Sequence, residues 1–137
     1  SEKKWGALVV IQRETGLRSY KDAGIQLKAE ISTPLVISIF NPESPMHDGA
    51  IILQNTLIEA AGCILPLTES QMILPDMGTR HRAALGISEE SDAIVIIVSE
   101  EKGSILTAEN GRFTHLDHDE MTLRRYLNER LFISSGD

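Results

Sequence analysis

The sequence has a single cysteine, Cys63, in 137 residues. That excludes an internal disulfide and any zinc site built on several thiolates, and it fits a reducing compartment. Long apolar runs are missing as well. Stretches such as AIVIIV and GAIIL fall far short of the ~18 residues that a membrane-spanning helix needs, and the first residues do not read as a signal peptide. Positive charge is scarce: 13 Lys and Arg stand against 20 Asp and Glu, a net charge of −7. This balance argues against a protein that coats nucleic acid through a broad basic face. It leaves room for one small anion in a local basic pocket. Internal repeats, low-complexity tracts and linker-like shifts of composition are absent. Because the chain opens on Ser1, it is expected to be an excised piece of a longer polypeptide, and the lack of a membrane segment then describes this piece alone.

What is present is ordinary globular usage, with 42% hydrophobic and 24% charged residues, ten Gly and five Pro. The length predicts one domain, residues 1–137 with a core over about 5–132, able to bury roughly two-thirds of its unfolded surface. WGALVVIQ (5–12) reads as a buried strand. TGLRSYKDAG (15–24) suggests a short helical turn ended by Gly24, and IQLKAEIS (25–32) alternates weakly. TPLVISIF (33–40) predicts a short buried helix with Thr33 as cap and Pro34 in the first turn, though its apolar content also allows a strand. NPESPMHDG (41–49) is a loop by its Pro, Asn and Gly. AIILQ (50–54) and LIEAAGCIL (57–65) predict a hairpin around Gln54-Asn55-Thr56.

Residues 66–78 read as irregular or briefly helical, and TRHRAALGISEES (79–91) as a helix capped by Thr79. DAIVIIVS (92–99) is the strongest strand in the chain. After the turn at 100–103, residues 104–110 and 111–116 predict a second hairpin around Asn110-Gly111. DHDEMTLRRYLNERLF (117–132) has Leu123, Leu127 and Leu131 at helical spacing, an amphipathic helix capped by Asp119 or Asp117. The sum is a single α/β domain, a central mixed β-sheet flanked by helices.

Two segments carry polar groups where a fold has no need of them. Gly78-Thr79-Arg80-His81-Arg82-Ala83-Ala84 opens a helix. A helix N-terminus offers free N–H groups and partial positive charge, which suit phosphate; two arginines in that first turn are unfavourable unless an anion binds nearby. Side chains two residues apart project about 200° from each other, so Arg80 and Arg82 cannot both face one ligand through the helix alone. One grips phosphate while the other braces a loop or reaches a partner chain; arginines paired with acidic neighbours at the surface are an equally good reading of this segment alone. Met46-His47-Asp48-Gly49-Ala50 joins a loop to a buried strand. Asp48 can ligate a hard divalent cation or accept a hydroxyl proton, and His47 adds a nitrogen ligand that manganese tolerates better than magnesium. Taken alone, an Asx-turn with an exposed His47 explains it better. Ser99-Glu100-Glu101 follows the strand at 92–99, where α/β sheets often bind ligands, although a solvated charged turn is the blander and better reading of the pair. His115 and His118 read as surface residues, Met72, Met77 and Met121 as packing residues, and Cys63 as a small buried apolar group.

DGA at 48–50 followed by GTRHRAA at 78–84 resembles the paired signature of the diadenylate cyclase (DAC) domain, and PMHDGAIIL, AAGCILPL and the VSEE turn fall in that family's order. The resemblance runs from about Trp5 to Phe132. Either motif alone is weak; the pair, with CILPL between, is specific. WGAL and the compact length look most like the membrane-anchored subtype and not the DNA-scanning one.

The resemblance implies an enzyme that condenses two ATP molecules into cyclic di-AMP and releases two pyrophosphates, each domain holding one ATP so that two must face each other in a homodimer. It implies that Asp48 activates the attacking 3′-hydroxyl, that Gly49 lets the ribose lie against the backbone, that Ala50 and Gly78 belong to the nucleotide site, and that Thr79, the adjoining helix start and Arg80 hold phosphate, with Arg82 structural or dimer-facing. Ser99 and Glu100 would touch the nucleotide, backbone groups around Leu65 would recognise adenine, and His47, Asp48 and Glu101 would hold Mn²⁺ or Mg²⁺. Ala83, where some relatives carry Thr, is a departure that removes one phosphate hydrogen bond. The expected setting is a cytoplasmic domain of a protein anchored in the cell membrane, with a membrane-bound regulator and phosphoglucosamine mutase as partners and no nucleic acid. A non-catalytic sensor of ATP or cyclic di-AMP on the same scaffold is the alternative.

Overall fold

Burial alternates along Ala7–Ile11, with Leu8 and Val10 almost fully enclosed and their neighbours partly covered, as a strand between two unequal layers requires. The computed structural model describes residues 6–71, 77–98 and 105–116. In it this strand, β1 (Ala7–Ile11), lies in the middle of a mixed sheet. The others are β2 (Ile25–Glu30), β3 (Ala50–Gln54), β4 (Leu57–Cys63), β5 (Ile94–Val98), β6 (Ile105–Glu109) and β7 (Arg112–Leu116), in the spatial order β2-β4-β3-β1-β5-β6-β7. The helices are α1 (Arg18–Asp22), α2 (Thr33–Phe40) and α3 (Thr79–Glu90). The expected α/β domain with a central mixed sheet is what forms.

One face of the sheet buries Leu8, Val10, Ile52, Ala60, Cys63, Val95 and Ile97 together with Ala83, Ala84 and Ile87 of α3. The other buries Ile51, Ile58 and Ala61 with Ile39 and Phe40 of α2. The helix expected over 33–40 forms, but Ser32 and not Thr33 caps it, its hydroxyl accepting the Leu35 N–H at 3.2 Å. Only its last two residues are buried, and Ile37 is 49% exposed. Both hairpins form where their turn residues stand. Asn55 takes φ +57°, and Asn110 and Gly111 take +54° and +74°, the two positive values in a row that a tight two-residue turn demands. The amphipathic helix expected over 117–132, and Met72, Met121 and His118, lie outside the described residues.

Pairing directions fix which loops meet. β1 and β3 run parallel, Val9 beside Ile51, so their amino ends lie together. β5 is antiparallel to β1, with Ala7 opposite Val98, and β4 is antiparallel to β3, with Ala50 opposite Cys63. One end of the sheet therefore collects the start of β1, the residues before β3, the exit of β4 and the exit of β5. At the opposite end, Asp92 accepts the backbone N–H groups of Glu14 and Thr15, each at 3.0 Å, and Arg13 donates to Glu109 at 3.2 Å.

Candidate functional site at the start of β3

His47, Asp48 and Gly49 stand just before β3, at that crowded end of the sheet. The loop that carries them is tied from within. Asn41 Oδ1 accepts the Glu43 N–H at 2.9 Å, Ser44 Oγ accepts the Met46 N–H at 3.0 Å, and the Ser44 carbonyl accepts the His47 N–H at 3.2 Å. The His47 ring meets the same carbonyl: Nδ1 lies 2.8 Å from Ser44 O. A carbonyl only accepts, so Nδ1 carries the proton and, in the neutral ring, the lone pair sits on Nε2. Nε2 is 3.6 Å from Asp48 Oδ1, and the Asp48 side chain is 89% exposed. The imidazole Nε2 and the exposed Asp48 carboxylate thus stand side by side. Sequence reasoning found His47 and Asp48 but missed Ser44, whose Ser-Pro step is an ordinary turn signal.

Gly49 has a role in the fold itself. It takes φ +98°, and a β-carbon there would lie 2.8 Å from both the Cys63 carbonyl oxygen and the Gly62 carbonyl carbon. The missing side chain makes room for β4, whose register shifts relative to β3 between the Ala50 and Ile52 pairings. Gly62, at φ +64°, lies in this irregular stretch. Gly49 is thus required by the packing of β4 against the start of β3. Ala50 is wholly buried, in the core cluster to which α3 also contributes. Leu65 likewise sends its side chain into the core, while Ile64 before it is 69% exposed. Cys63 is buried, as expected, and burial raises its thiol pKa from 9.0 to about 11.

The cap of α3 stands one residue before the expected one. Gly78 is the N-cap, extended at φ −100° and ψ −160° and with no side-chain hydrogen bond, and Thr79 is the first helical residue. No acidic residue occupies the first turn, and both Gly78 and Thr79 are exposed. The N-terminus of α3 carries partial positive charge, an end suited to an anion.

The three residues after Thr79 diverge as helix geometry dictates. Arg80 is half-buried, with its guanidinium against Gly6 at the start of β1. The His81 ring meets Phe113 of β7 edge-on, centroids 6.2 Å apart. The Arg82 side chain is exposed, and its carbonyl accepts the Thr68 N–H at 3.1 Å. Farther along, Gly86 lets residues 66–68 lie directly on the helix, for a β-carbon there would come within 2.8 Å of the Pro66 carbonyl carbon. Thr68, nearly buried, donates to the Glu89 carboxylate at 2.8 Å. Met77 is half-buried. Arg80, against Gly6 beside Ala7, and Asp48, before Ala50, thus come to the same end of the sheet. Ser99, Glu100 and Glu101 lie outside the described residues. They follow Val98, which pairs with Ala7 at that end.

Comparison with known proteins agrees in sequence and in fold. A family profile described as "DAC: DisA bacterial checkpoint controller nucleotide-binding" matches residues 1–113. Cyclic di-AMP synthase CdaA of Bacillus subtilis is 48% identical over 127 residues, 93% of this chain and 46% of that protein. A diadenylate cyclase of Listeria monocytogenes is 44% identical over 122 residues, 88% of this chain and 45% of that protein. The chain thus spans a little under half the length of these curated relatives. The crystal structure of a double mutant of DacA from Staphylococcus aureus superposes with a TM-score of 0.89 at 46% identity, covering 93% of this chain and 85% of that one. A hypothetical membrane spanning protein from Bacillus cereus superposes with a TM-score of 0.78, also at 46% identity, covering 82% of this chain and 55% of that one. With the signature residues, the sheet and the family profile in agreement, the chain belongs to the DAC family and resembles its CdaA-type members.

Proposed function

We propose that this domain is the catalytic unit of a diadenylate cyclase, condensing two ATP molecules into cyclic di-AMP. The observation that carries the reading is the convergence, at one end of the sheet, of an exposed Asp48 beside His47 Nε2 and of the start of α3 with Arg80. The names of the relatives support it: two that match most of this chain are a cyclic di-AMP synthase and a diadenylate cyclase.

In this reading Asp48 takes the proton of a 3′-hydroxyl as its oxygen attacks the α-phosphorus of the other nucleotide. A new P–O bond forms, the bond to the β-phosphate breaks, and pyrophosphate leaves with the electron pair. The same exchange in the opposite direction closes the ring. Thr79 and the first amides of α3 hold phosphate oxygens, and Arg80 balances their charge. A carboxylate exposed to this degree serves a substrate presented from outside its own protomer, as the reaction between two ATP-loaded domains requires. A face-to-face homodimer supplies the alignment, a contribution of about 7–11 kcal/mol in well-oriented reactions. Arg82, exposed on α3, is available to the partner protomer.

The donor set suits a divalent cation. His47 and Asp48 bring an sp² nitrogen and a carboxylate oxygen to within 3.6 Å of each other, with the ring oriented by Ser44. Mn²⁺ accepts such a mixed set more readily than Mg²⁺. Among the described residues no third His, Cys, Asp or Glu joins them; Glu101, in the segment after β5, is the proposed third ligand. A bound cation screens the triphosphate and improves the leaving group. Membrane attachment belongs to the same proposal: no helix among the described residues is long and apolar enough to cross a membrane, and the anchor would lie in sequence outside this chain. A membrane-bound regulator and phosphoglucosamine mutase remain the proposed partners.

Incubating the protein with ATP and Mn²⁺ or Mg²⁺ tests the reading. The expected products are cyclic di-AMP and pyrophosphate, with specific activity rising with protein concentration through the dimerisation range. ATP bound and left unconverted at high protein concentration would instead mark a nucleotide sensor.

A further inference from the structure

We propose that Gly6 is a positioning residue for Arg80: its missing side chain forms a slot that holds the guanidinium against the start of β1, aimed at the phosphate site. The inference rests on the reading above in one respect, that Arg80 meets the triphosphate. The slot itself is seen in the geometry. Gly6 is buried, and a β-carbon built on it would lie 2.5 Å from Arg80 Cζ and 2.9 Å from Nε, closer than a β-carbon can stand to any neighbour. The backbone gives no competing reason for glycine. Gly6 is not among the residues of positive φ, unlike Gly49, Gly62 and Gly111.

The obstacle also differs in kind from those at Gly49 and Gly86. A methyl group at Gly49 would meet the backbone of Gly62 and Cys63, and one at Gly86 the backbone of Pro66 and Thr68. Those positions serve the fold, since neither side can yield. At Gly6 the atoms in the way are the end of a flexible side chain. A methyl group there displaces the guanidinium and leaves β1 and α3 where they are. An arginine fixed by packing meets an anion with less ordering left to do than a free one. Gly6 thereby keeps a charge ready at the end of the sheet where Asp48 stands, and it does so from outside the signature segments.

Gly6→Ala, Arg80→Ala and the double variant test this, read as ATP affinity by titration, KM and kcat for cyclic di-AMP formation, and melting temperature. Gly6→Ala is expected to weaken ATP binding and raise KM by about tenfold, the worth of one charge-assisted hydrogen bond, at an unchanged melting temperature. In the Arg80→Ala background the slot is empty, so adding Gly6→Ala is expected to change nothing further. Wild-type affinity in Gly6→Ala would overturn the proposal, as would a loss of affinity that adds fully to that of Arg80→Ala. Unfolding of both Gly6→Ala and the double variant would overturn it too, by making Gly6 a backbone requirement. Failure of the underlying reading has its own signature: Arg80→Ala alone would bind and turn over ATP normally.

Discussion

The α-carbon of Gly49 lies so close to the Cys63 carbonyl that a β-carbon would stand 2.8 Å from its oxygen, with φ at +98°. The obstacle is backbone on an adjacent strand, so it cannot swing aside. Gly49→Ala is therefore expected to cost about 1–3 kcal/mol of stability and, by moving the residue next to it, to misplace Asp48. Chemical denaturation checks the first effect and the rate of cyclic di-AMP formation the second. A variant of unchanged stability would show that the two strands can part.

Thr68 fastens the segment after β4 to α3 through the Glu89 carboxylate, and its hydroxyl also accepts the Ser70 N–H at 3.0 Å. Thr68→Val keeps the shape and removes both bonds. The expected loss is about 1–3 kcal/mol, because the partner is charged and Thr68 is nearly buried. Denaturant unfolding of Thr68→Val beside Glu89→Gln measures it, and the two effects should be strongly non-additive.

Acid stability should depend on Asp92. Burial pushes its carboxyl upward, but the backbone N–H groups of Thr15 and Glu14, the Thr15 hydroxyl and the charge of Arg13 together hold it below its ordinary value of 3.8. A depressed carboxyl stabilises the fold above its unfolded value, and that contribution is lost as pH falls through the folded value. Melting temperature should therefore decline below about pH 4, and Asp92→Asn should flatten the decline while lowering stability at neutral pH. An unaltered acid limb in the variant would assign the decline to other groups.

Much of the fold is legible in the sequence because it is fixed locally. Asn110-Gly111 can adopt two positive φ values in succession, Asn55 one, and the apolar run after Asp92 has nowhere to go but the middle of a sheet. Helix starts were displaced by one residue, with Ser32 and Gly78 in place of Thr33 and Thr79, since neighbouring residues of similar capping ability differ only in the dihedral angles that the whole chain imposes. Strand order and direction are different matters. Nothing in residues 46–50 or 78–84 says that a parallel β1–β3 pair and an antiparallel β5 bring them to one end. For the same reason the packing constraint on Gly49 is hidden in the sequence: its neighbour Cys63 is distant along the chain and reaches it through an irregular β4. Gly6 and Ser44 carried no chemical signal at all, for both act through what they touch. Ser99, Glu100 and Glu101 rest on the sequence alone.

Asp48, an exposed carboxylate, is proposed to act on a hydroxyl rather than hold the nucleotide in place. Measuring turnover and ATP affinity together in Asp48→Asn addresses that claim directly. The account predicts a fall in cyclic di-AMP formation by about a thousandfold or more, with ATP affinity within about twofold of the parent. Retained turnover, or a loss of ATP affinity that accounts for the loss of rate, would contradict it.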